Sequence, residues 1–499
     1  MKIKKLLIAN RGEIAIRIAR SAKELGIMTV AVCSDTDQNA LHTKYCDQVI
    51  CIGGETPLES YLIIGKILQA AKDCGADAIH PGYGFLSEKS EFSKRTTDAG
   101  LIFVGPNPES IEKMGGKIES RSLAQSLGVP VTPGFVIPSD VKDSIGTLKE
   151  EANRIGYPVL IKASAGGGGK GMRVVDSPAD LQEAYESVQR EARTAFADET
   201  VYLEKYLLQP RHIEFQILAD QSGNTIALHE RECSVQRRHQ KIVEEAPSVL
   251  LDQKLRSVMA DAAVKIAKSV NYVNAGTMEF LVDAHHNFYF LEMNTRLQVE
   301  HPVTELITGL DLVKLQLKIA QGESLTDLLP NGVPDPRGHA IEARLYAEDP
   351  SNNFLPSTGR ILEYMEPQGP GIRVDSGVTL GDEVSVHYDP MLAKLIVYEQ
   401  NRQLAIERMK QALAGYTLLG LRTNLEYLHS VCCNSDFAAG QYDTSLCSKI
   451  DATPIPSSLI DRSLIALGSS LLGAAQEDNG APNKATLFEL WKNGGFRNP

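Results

Sequence analysis

Two glutamates near the middle of the chain lie in neighbouring strand-like segments, at 276–283 and 287–294. Because strand residues alternate between the two faces of a sheet, a hairpin of these segments places Glu279 directly opposite Glu292. Asn294, two residues further on, then points to the same face. The spacing therefore predicts two carboxylates and an amide oxygen grouped on one side of a hairpin.

Such a group of acidic side chains needs a compensating charge. Directly opposed carboxylates, with Cβ atoms about 5 Å apart, destabilise a sheet. At an effective dielectric of about 20, two unit charges at that distance repel by roughly 3 kcal/mol. A divalent cation offsets this repulsion, and the donor set suits Mg²⁺ or Mn²⁺. We predict a metal site here, in a hairpin that pairs Asp283 with Phe288 across a four-residue loop; the alternative is a solvent-facing polar strand with a shifted register.

A second candidate is a run of glycines between two apolar strand-like segments, 157–162 and 171–175. The run fits G-x-G-x-x-G by spacing, but a strand follows it where that motif requires a helix. It also fails as a Walker A motif, because glycine follows Lys170, and the sequence contains neither the H-R-D nor the D-F-G motif of protein kinases. What remains is a loop whose backbone N–H groups can approach phosphate oxygens, with Lys162 before it. The candidate phosphate-binding glycines are Gly166, Gly167, Gly168 and Gly169.

Charged and amide side chains continue beyond the hairpin. Arg296, Gln298 and Glu300 occupy alternate positions of one extended segment, which adds a cation, an amide and another carboxylate to the candidate metal ligands. A second charged stretch, residues 231–247, contains RRHQK and two glutamates; by itself such a run is ordinarily a solvated face. A third segment, HPGYGFLSE at 80–88, follows a strand and so lies at the edge where open α/β sheets bind ligands.

The elements that must position these residues begin with alternating strands and helices. Residues 5–9 and 29–33 are typical of strands, and residues 14–25 of the helix between them; a helix at 61–71 and a strand at 78–80 repeat the pattern. We therefore predict an α/β fold with a doubly wound, mostly parallel sheet over about the first 110 residues. Its first turn lacks G-x-G-x-x-G, so dinucleotide binding is not supported there.

The composition is that of a globular chain with several domains. Its 499 residues allow roughly three domains, and 43% hydrophobic with 23% charged residues is average for such proteins. A net charge of −12 argues against nucleic acid or anionic lipid as the partner. Eight cysteines without a C-x-x-C pair indicate reduced thiols, and no apolar stretch reaches the roughly 18 residues of a membrane span. We expect a cytoplasmic protein.

Proline and glycine mark the candidate domain boundaries. They cluster at 129–134 and again at 330–336, and the sequence turns rich in proline and serine after residue 450.

Taken together, these segments resemble the ATP-grasp superfamily and, more closely, the biotin carboxylases, from residue 1 to about residue 448. The matching segments are IANRGEIA (8–15), HPGYGFLSE (80–88), KASAGGGGKGMRVV (162–175), EKYL (204–207), RRHQK (237–241), EMNTRLQVEHPVTE (292–305), RLYAEDP (344–350) and HYDPMLAKL (387–395). Eight motifs in the same order make the resemblance specific. Three stretches, EFQILAD, RLYAEDP and GDEVSVHYDP, are most similar to the α subunits of biotin-dependent acyl-CoA carboxylases.

The resemblance implies a domain organisation and a reaction. The implied domains are an N-terminal biotin carboxylase domain at 1–115, an ATP-grasp domain at 116–330 with a mobile lid at 132–205, a C-terminal biotin carboxylase domain at 336–448, and a linker-like tail at 449–499. The implied enzyme is an ATP-dependent ligase that activates bicarbonate as carboxyphosphate and then carboxylates biotin. ATP, Mg²⁺ or Mn²⁺ as two ions, and biotin held on a carrier rather than on this chain are the implied cofactors and substrate.

The resemblance also implies roles for individual residues. The nucleotide-binding residues are Lys117, Lys162, Gly166, Gly167, Gly168, Gly169, Met172, Glu204, Lys205, Leu207, His212, Gln236, His239, Glu279, Leu281 and Glu292. The metal ligands are Glu279, Glu292 and Asn294. The residues that bind bicarbonate or biotin are Lys241, Arg296, Gln298, Val299, Glu300, Arg344 and Tyr83. Of these, the catalytic residues are Glu300, the base for bicarbonate, Arg344, which stabilises the biotin enolate, Arg296 and Lys241.

Departures from the family pattern are small. Ala165, Lys170 and Gly116 stand where some members have glycine, arginine and aspartate. The Met-Lys-Met biotinylation site of the α subunits does not occur in this sequence, so we expect either a truncated chain or biotin supplied in trans. The expected partners are a biotin carboxyl carrier, a second copy of the chain in a homodimer, and a carboxyltransferase subunit; neither nucleic acid nor a membrane is expected.

Three functions are to be distinguished. The first is the biotin carboxylase half-reaction of an acetyl-, propionyl- or methylcrotonyl-type acyl-CoA carboxylase, or of a pyruvate-type carboxylase. The second is another ATP-grasp ligase that joins a carboxylate to an amine or thiol, which would need neither Arg344 nor RRHQK. The third is a non-catalytic nucleotide-binding scaffold, against which the intact lysines and glutamates of the candidate site weigh.

Overall fold

The computed structural model describes residues 2–136, 144–164, 171–196 and 200–452. The elements of its first region are β1 (Lys5–Ile8), α1 (Gly12–Glu24), β2 (Met28–Cys33), α2 (Leu41–Tyr45), β3 (Gln48–Cys51), α3 (Ile64–Cys74), β4 (Ala78–His80), α4 (Ser90–Asp98), β5 (Ile102–Phe103) and α5 (Pro108–Gly115). The strands pair in parallel in the order β3-β2-β1-β4-β5, which confirms the predicted doubly wound sheet.

The strand order of this sheet reverses between β1 and β4, the point at which open α/β sheets form a crevice. Asn10 follows β1, and its side-chain amide donates to the carbonyls of Pro81 and Tyr83 after β4, each at 2.8 Å. Gly82 has φ +65° and lies so close to Asn10 that a Cβ would be 2.7 Å from Nδ2. The segment HPGYGFLSE is thereby fixed at the carboxyl edge of the sheet.

A middle region follows and contains two sheets. Its elements are α6 (Lys117–Ser126), β6 (Gly134–Val136), α7 (Ser144–Ile155), β7 (Val159–Ala163), β8 (Met172–Val175), α8 (Leu181–Phe196), β9 (Val201–Lys205), β10 (Arg211–Ala219), β11 (Thr225–Arg237), β12 (Gln240–Ala246), α9 (Gln253–Ser269), β13 (Asn274–Val282), β14 (Phe288–Asn294), α10 (His301–Thr308), α11 (Leu312–Ala320) and α12 (Leu325–Leu328).

The smaller of the two sheets has the order β6-β9-β7-β8 and a hydrophobic core of its own, with residues from α7 and α8. Within it, β7 and β8 are antiparallel and Lys162 pairs with Met172, which confirms the predicted strand–loop–strand. Four of the sequence candidates in the connecting loop, Gly166, Gly167, Gly168 and Gly169, lie outside the described residues, as do Ala165 and Lys170.

The larger sheet contains the predicted carboxylate hairpin. Glu279 of β13 pairs with Glu292 of β14, as predicted. The predicted turn is wrong by one residue, because Val282 rather than Asp283 pairs with Phe288. A register shift between Glu279 and the next residue absorbs the difference, so the glutamates are opposed despite the longer loop.

The last region extends this larger sheet. Its elements are β15 (His339–Tyr346), β16 (Glu348–Asp349), β17 (Leu355–Pro356), β18 (Gly359–Arg360), β19 (Glu363–Met365), β20 (Ile372–Ser376), β21 (Glu383–Val384), β22 (Met391–Glu399), α13 (Arg402–Ala414), β23 (Thr417–Leu419), α14 (Leu425–Cys433) and α15 (Ser435–Ala439). Because β12 pairs with β15, one eight-stranded sheet, β14-β13-β10-β11-β12-β15-β22-β20, joins the middle and last regions.

Alternation along these strands separates core from site. In β10, Ile213, Phe215 and Ile217 belong to the core that includes α9, so the intervening polar residues point to the opposite face. The same alternation in β13 and β15 brings Glu279 and Arg344 to that face. Among the helices within the described ranges, none is both long and apolar enough to span a membrane.

Candidate active site

Glu279 lies at the centre of the polar face of the larger sheet. Its carboxylate accepts hydrogen bonds from Lys241 Nζ at 2.8 Å, Asn294 Nδ2 at 2.7 Å and Gln298 Nε2 at 3.2 Å. His212 Nε2 lies 2.9 Å from its second oxygen. Burial would raise the pKa of Glu279, but the charges of Lys241 and His212 outweigh burial and hold it below its ordinary value. This carboxylate is therefore an anion fully surrounded by donors.

Glu292, on the facing strand, has the opposite electrostatic balance. Burial raises its pKa, and the negative charge of Glu279 raises it further, while Lys117 and Lys162 act in the other direction. The pair thus holds an excess of negative charge that a cation would relieve. Asn294 joins this pair with its Nδ2 on Glu279 and its Oδ1 on Arg296, and its amide oxygen and the two carboxylates are donors of the kind that a hard divalent ion prefers.

Two lysines reach the same place from different elements. Lys117 begins α6, and burial lowers its pKa, with Glu292 opposing and Lys162 adding to the effect. Lys162 is on β7 and its Nζ donates to the carboxylate of Glu204 at 2.9 Å. Arg121 binds the other oxygen of Glu204 at 2.9 Å. The Glu204 side chain, a sequence candidate for nucleotide binding, thus holds Lys162 in place.

The remaining nucleotide candidates surround these lysines. Gln236 Nε2 lies 2.6 Å from Nδ1 of His212, whose other ring nitrogen faces Glu279. His239 lies in the β11–β12 turn with φ +67°, and its pKa is lowered by burial and by the charges of Lys162 and His212. Lys205 ends β9, and its ammonium binds the carbonyls of residues 156 and 157. The three remaining nucleotide candidates lie on or next to the same strands. Met172 pairs with Lys162 across β7 and β8, Leu281 pairs with His212 across β10 and β13, and Leu207 comes two residues after the end of β9.

Glu300, the predicted base, is fully buried between two cations. Lys241 Nζ donates to one of its oxygens at 2.8 Å, and Arg344 Nη2 donates to the other at 2.9 Å. Burial would raise the pKa of Glu300, but Lys241 and Arg344, together with Arg231, bring it well below its ordinary value. Glu300 is therefore charged at neutral pH and has little affinity for a proton while both cations bind it.

Lys241 and Arg344 each bridge further acidic residues. Besides Glu279 and Glu300, Lys241 donates to Glu214 at 2.6 Å, and Arg344 Nε donates to Glu244 at 2.6 Å. Lys241 and Glu244 of the charge run at 231–247 therefore belong to this network, whereas Arg238 and His239 in the same run are exposed.

Arg296 and its neighbours extend the site towards the first region. Arg296 Nη1 donates to Gln298 at 2.9 Å, Nη2 donates to Asn294 at 3.2 Å, and Nε lies 3.3 Å from Glu88. The carbonyl of Val299 accepts from a buried lysine, Lys394. Tyr83, a sequence candidate for the biotin side, directs its hydroxyl to Glu13 at the start of α1.

Several members of this network were missed from the sequence. Glu88 ends the HPGYGFLSE segment and pairs with Arg296, while Glu214 and the fully buried Arg231 form an ion pair beneath Lys241. Alternation along β10 gives the one signal for Glu214, because it shares a face with His212. Glu244 lies in the charged stretch 231–247 and Lys394 in HYDPMLAKL, but nothing local identifies their partners, which lie 100 and 95 residues away in the chain.

Three models of known domain families match the chain in order. The biotin carboxylase N-terminal domain matches residues 2–111, the ATP-binding domain of the carbamoyl-phosphate synthase L chain matches residues 116–328, and the biotin carboxylase C-terminal domain matches residues 342–449. The chain belongs to the biotin carboxylase family. The resemblance inferred from the motifs is thus confirmed, and the protein is an ATP-dependent ligase of the ATP-grasp fold.

Among curated proteins of this family, the relatives include carboxylase subunits of two kinds. The alpha subunit of mitochondrial methylcrotonoyl-CoA carboxylase from Rattus norvegicus is 50% identical over 443 residues, which are 89% of this chain and 61% of that protein. The corresponding subunit of Dictyostelium discoideum is 47% identical and covers 99% of this chain and 70% of its own. A pyruvate carboxylase subunit of Methanothermobacter thermautotrophicus is 51% identical, with 88% of each chain covered.

Solved biotin carboxylases have the same fold. Biotin carboxylase of Campylobacter jejuni, in a β,γ-ATP complex, superposes with a TM-score of 0.86 at 45% identity, over 90% of this chain and 99% of that one. The biotin carboxylase domain of 2-oxoglutarate carboxylase from Hydrogenobacter thermophilus, with MgADP, ADP and bicarbonate, gives 0.85 at 44% identity over 90% and 98%.

Proposed function

We propose that this biotin carboxylase uses MgATP and bicarbonate to carboxylate biotin presented on a carrier protein or domain, through carboxyphosphate. The observation that carries the proposal is the position of Glu300, charged and enclosed by Lys241 and Arg344, beside the opposed pair Glu279 and Glu292. The grouping of Glu300, the two cations and the glutamate pair at one face of the sheet supports their roles as base, charge-neutralising groups and metal ligands. Phosphoryl transfer needs this combination of positioning and charge neutralisation.

The nucleotide end of the site is assigned to the residues around the hairpin. Glu279, Glu292 and Asn294 would hold Mg²⁺ or Mn²⁺, two ions in all. Such ions, when bound, neutralise charge on the phosphate oxygens. The positive charges of Lys117 and Lys162 act on Glu292 and oppose the rise in its pKa, which supports a role for both lysines in binding phosphate oxygens next to the metal ligands. The charges of both lysines support that role.

The bicarbonate end is assigned to Lys241, Arg296, Gln298 and the backbone of Val299, with Glu300 as base. While Lys241 binds Glu300, the carboxylate has little affinity for a proton. When the ammonium of Lys241 turns to a bicarbonate oxygen, Glu300 shares that cation and its proton affinity rises. Glu300 can then accept the bicarbonate proton as the freed oxygen attacks the γ-phosphorus and ADP leaves.

Arg344 is assigned to the biotin end. Its guanidinium binds Glu244 and Glu300 and is held in a fixed orientation by them. A fixed cation of this kind stabilises the negative oxygen that develops on the biotin ureido group as its nitrogen loses a proton. Tyr83, tied to Glu13, lies on the neighbouring loop that follows β4.

The direct test is ADP release with free biotin and Mg²⁺, with and without bicarbonate. We expect release to require bicarbonate and to rise with biotin. Glu300→Gln is expected to lower kcat by about 100-fold or more, the usual contribution of a positioned base, while leaving ATP affinity unchanged. Unchanged turnover in this variant would remove Glu300 as the base. ADP release that needs an amine and no bicarbonate would instead identify another ATP-grasp ligase.

The final acceptor is assigned to a separate carboxyltransferase, since the described residues form the three domains of the biotin carboxylase family. Similarity to methylcrotonoyl-CoA and propionyl-CoA carboxylase chains supports an acyl-CoA acceptor, and similarity to a pyruvate carboxylase subunit supports a 2-oxo acid. We propose the cytoplasm as the compartment, supported by eight cysteines that are all unpaired. Family likeness also supports a homodimer.

A further inference from the structure

Lys394 of β22 is fully buried and contacts the backbone of the bicarbonate segment. Its Nζ donates a hydrogen bond of 2.7 Å to the carbonyl of Val299, the residue before Glu300. The HYDPMLAKL motif, which contains this lysine, received no role from the resemblance. A buried ammonium loses much hydration energy, so the contact that compensates it indicates what the lysine does.

The other neighbours of Lys394 are more distant. Its ammonium lies 3.5 Å from Glu13 and 3.9 Å from Asp375. Asp375 has closer contacts with Arg373, at 2.7 and 3.0 Å, and Glu13 accepts from Tyr83. Lys394 is the cation that neighbours Glu13, whereas Arg373 is the closer partner of Asp375, and the closest contact of Lys394 itself is with the carbonyl of Val299.

Cross-strand position relates Lys394 to the catalytic arginine. Arg344 of β15 and Lys394 of β22 are directly paired residues, so two cations project from one place on the sheet. Arg344 binds the side-chain carboxylate of Glu300, while Lys394 binds the carbonyl that precedes it. Like charges in directly opposed positions destabilise a sheet. The two cations bind consecutive residues, Arg344 the side chain of Glu300 and Lys394 the backbone carbonyl of Val299, and these separate anionic or polar partners account for their pairing.

We propose that Lys394 is a positioning residue of the bicarbonate site, which fixes the Val299–Glu300 peptide so that Glu300 and the Val299 N–H meet bicarbonate together. This inference rests on the proposed function. Lys394 does not touch the reacting atoms. It anchors the catalytic segment of the middle region to the sheet of the last region.

The test is steady-state ADP release by Lys394→Met as a function of bicarbonate and of ATP. A misplaced base or binding group can cost on the order of 100-fold in rate, so we expect kcat/KM for bicarbonate to fall by up to that factor. The KM for ATP is expected to stay unchanged, because the nucleotide residues lie on other strands. An unchanged kcat/KM for bicarbonate, or an equal loss for both substrates, would overturn the proposal.

A second variant separates positioning from charge balance. The double variant Lys394→Met/Glu13→Gln lacks both buried charges of the Lys394–Glu13 pair. The single variant Glu13→Gln is the reference for its activity. We expect the double variant to regain thermal stability relative to Lys394→Met while keeping its loss in bicarbonate kcat/KM. If kcat/KM for bicarbonate in the double variant returned to the value of Glu13→Gln, Lys394 would serve only to balance charge, and the proposal would be overturned.

A conservative variant, Lys394→Arg, and a crystal structure of Lys394→Met test the positioning role independently. If neither methionine variant folds, Lys394→Arg keeps the charge but cannot place one nitrogen where Nζ lies, and a wild-type bicarbonate KM in it would overturn the proposal. If wild-type protein releases no ADP with bicarbonate, the proposed function fails. The position of the Val299 carbonyl in a crystal structure of Lys394→Met then decides the positioning role: displacement supports it, and an unmoved carbonyl overturns it.

Discussion

Glu300 combines two properties that a base rarely has together. Its carboxylate is charged and buried, and both of its oxygens are bound by cations. A carboxylate held in this way is a poor base until one cation is drawn away. Because Arg344 also binds Glu300, Lys241 can turn to a new anion without leaving the Glu300 carboxylate unpaired. The sharing of Glu300 between two cations therefore makes the base responsive to bicarbonate.

A buried histidine beside the site gives a prediction about pH. His80 accepts from the N–H of Gly82 at Nδ1, and its Nε2 lies 3.2 Å from Gln316, so the ring is held neutral. Burial lowers the pKa of His80 to about 4. Since the unfolded chain takes up this proton near pH 6.5 and the folded chain does not, stability is lost as the pH falls from 6.5 to 4. The loss at pH 4 is roughly 3 kcal/mol.

The measurement is urea unfolding between pH 4 and 7 for wild type and His80→Gln. The variant cannot titrate at this position, so its free energy of unfolding is expected to change less over the interval. His42 has a similarly lowered pKa of about 4 and contributes in both proteins, so the difference between the two curves is the relevant quantity. Parallel curves would contradict the prediction.

Among the strands, β13 depends on a glycine next to the hairpin carboxylates. A Cβ on Gly276 would lie 2.5 Å from the hydroxyl oxygen of Tyr272, which is buried and donates to Ala275. Gly276→Ala is therefore expected to lower the free energy of unfolding by about 1–3 kcal/mol through overpacking. Thermal unfolding is the measurement.

The matched control for that substitution is Gly65→Ala. Gly65 lies in α3, and a Cβ there would meet nothing within 4 Å. Alanine at an open helical position is expected to be neutral or to stabilise by up to about 1 kcal/mol. If both substitutions changed the free energy of unfolding equally, the contact with Tyr272 would not be the cause of the loss in Gly276→Ala.

The hairpin also shows how far the sequence could predict this structure. Period-two alternation placed Glu279 opposite Glu292, because both strands have one apolar and one polar face. The predicted turn is wrong by one residue, because the register shift beside Glu279 cannot be recognised from the alternation of apolar and polar residues. Glu214 shares a face with His212 and was still overlooked, because the lysine that it binds comes 27 residues later. Contacts between distant strands, such as Lys394 with Val299, need the sheet order.

In the molecule as a whole, one glutamate links all three regions. Glu305 of α10 accepts from Arg17 of α1 at 2.6 Å and from Arg373 of β20 at 2.8 Å. Breaking a buried ion pair typically costs about 3–5 kcal/mol. We expect Glu305→Ala to lower the free energy of unfolding by about 3 kcal/mol and to separate the unfolding of the regions.

The control is Glu407→Ala on the surface of α13. Glu407 pairs with Lys410 at 2.9 Å, but its side chain is 50% exposed. An exposed pair of this kind contributes less than about 1 kcal/mol. Calorimetry of both variants is the measurement. A single, unshifted transition for Glu305→Ala would show that the regions are held together by other contacts.

The pairing of β12 with β15 has a consequence for shortened forms of the chain. Val243–Ala246 hydrogen bonds along its length to Ala340–Ala343. A fragment ending near residue 335 would leave those backbone groups open to water along an otherwise buried strand, a template for annealing to another copy. We expect such a fragment to self-associate unless a separately made partner piece, starting before residue 339, is added back to complete the ladder.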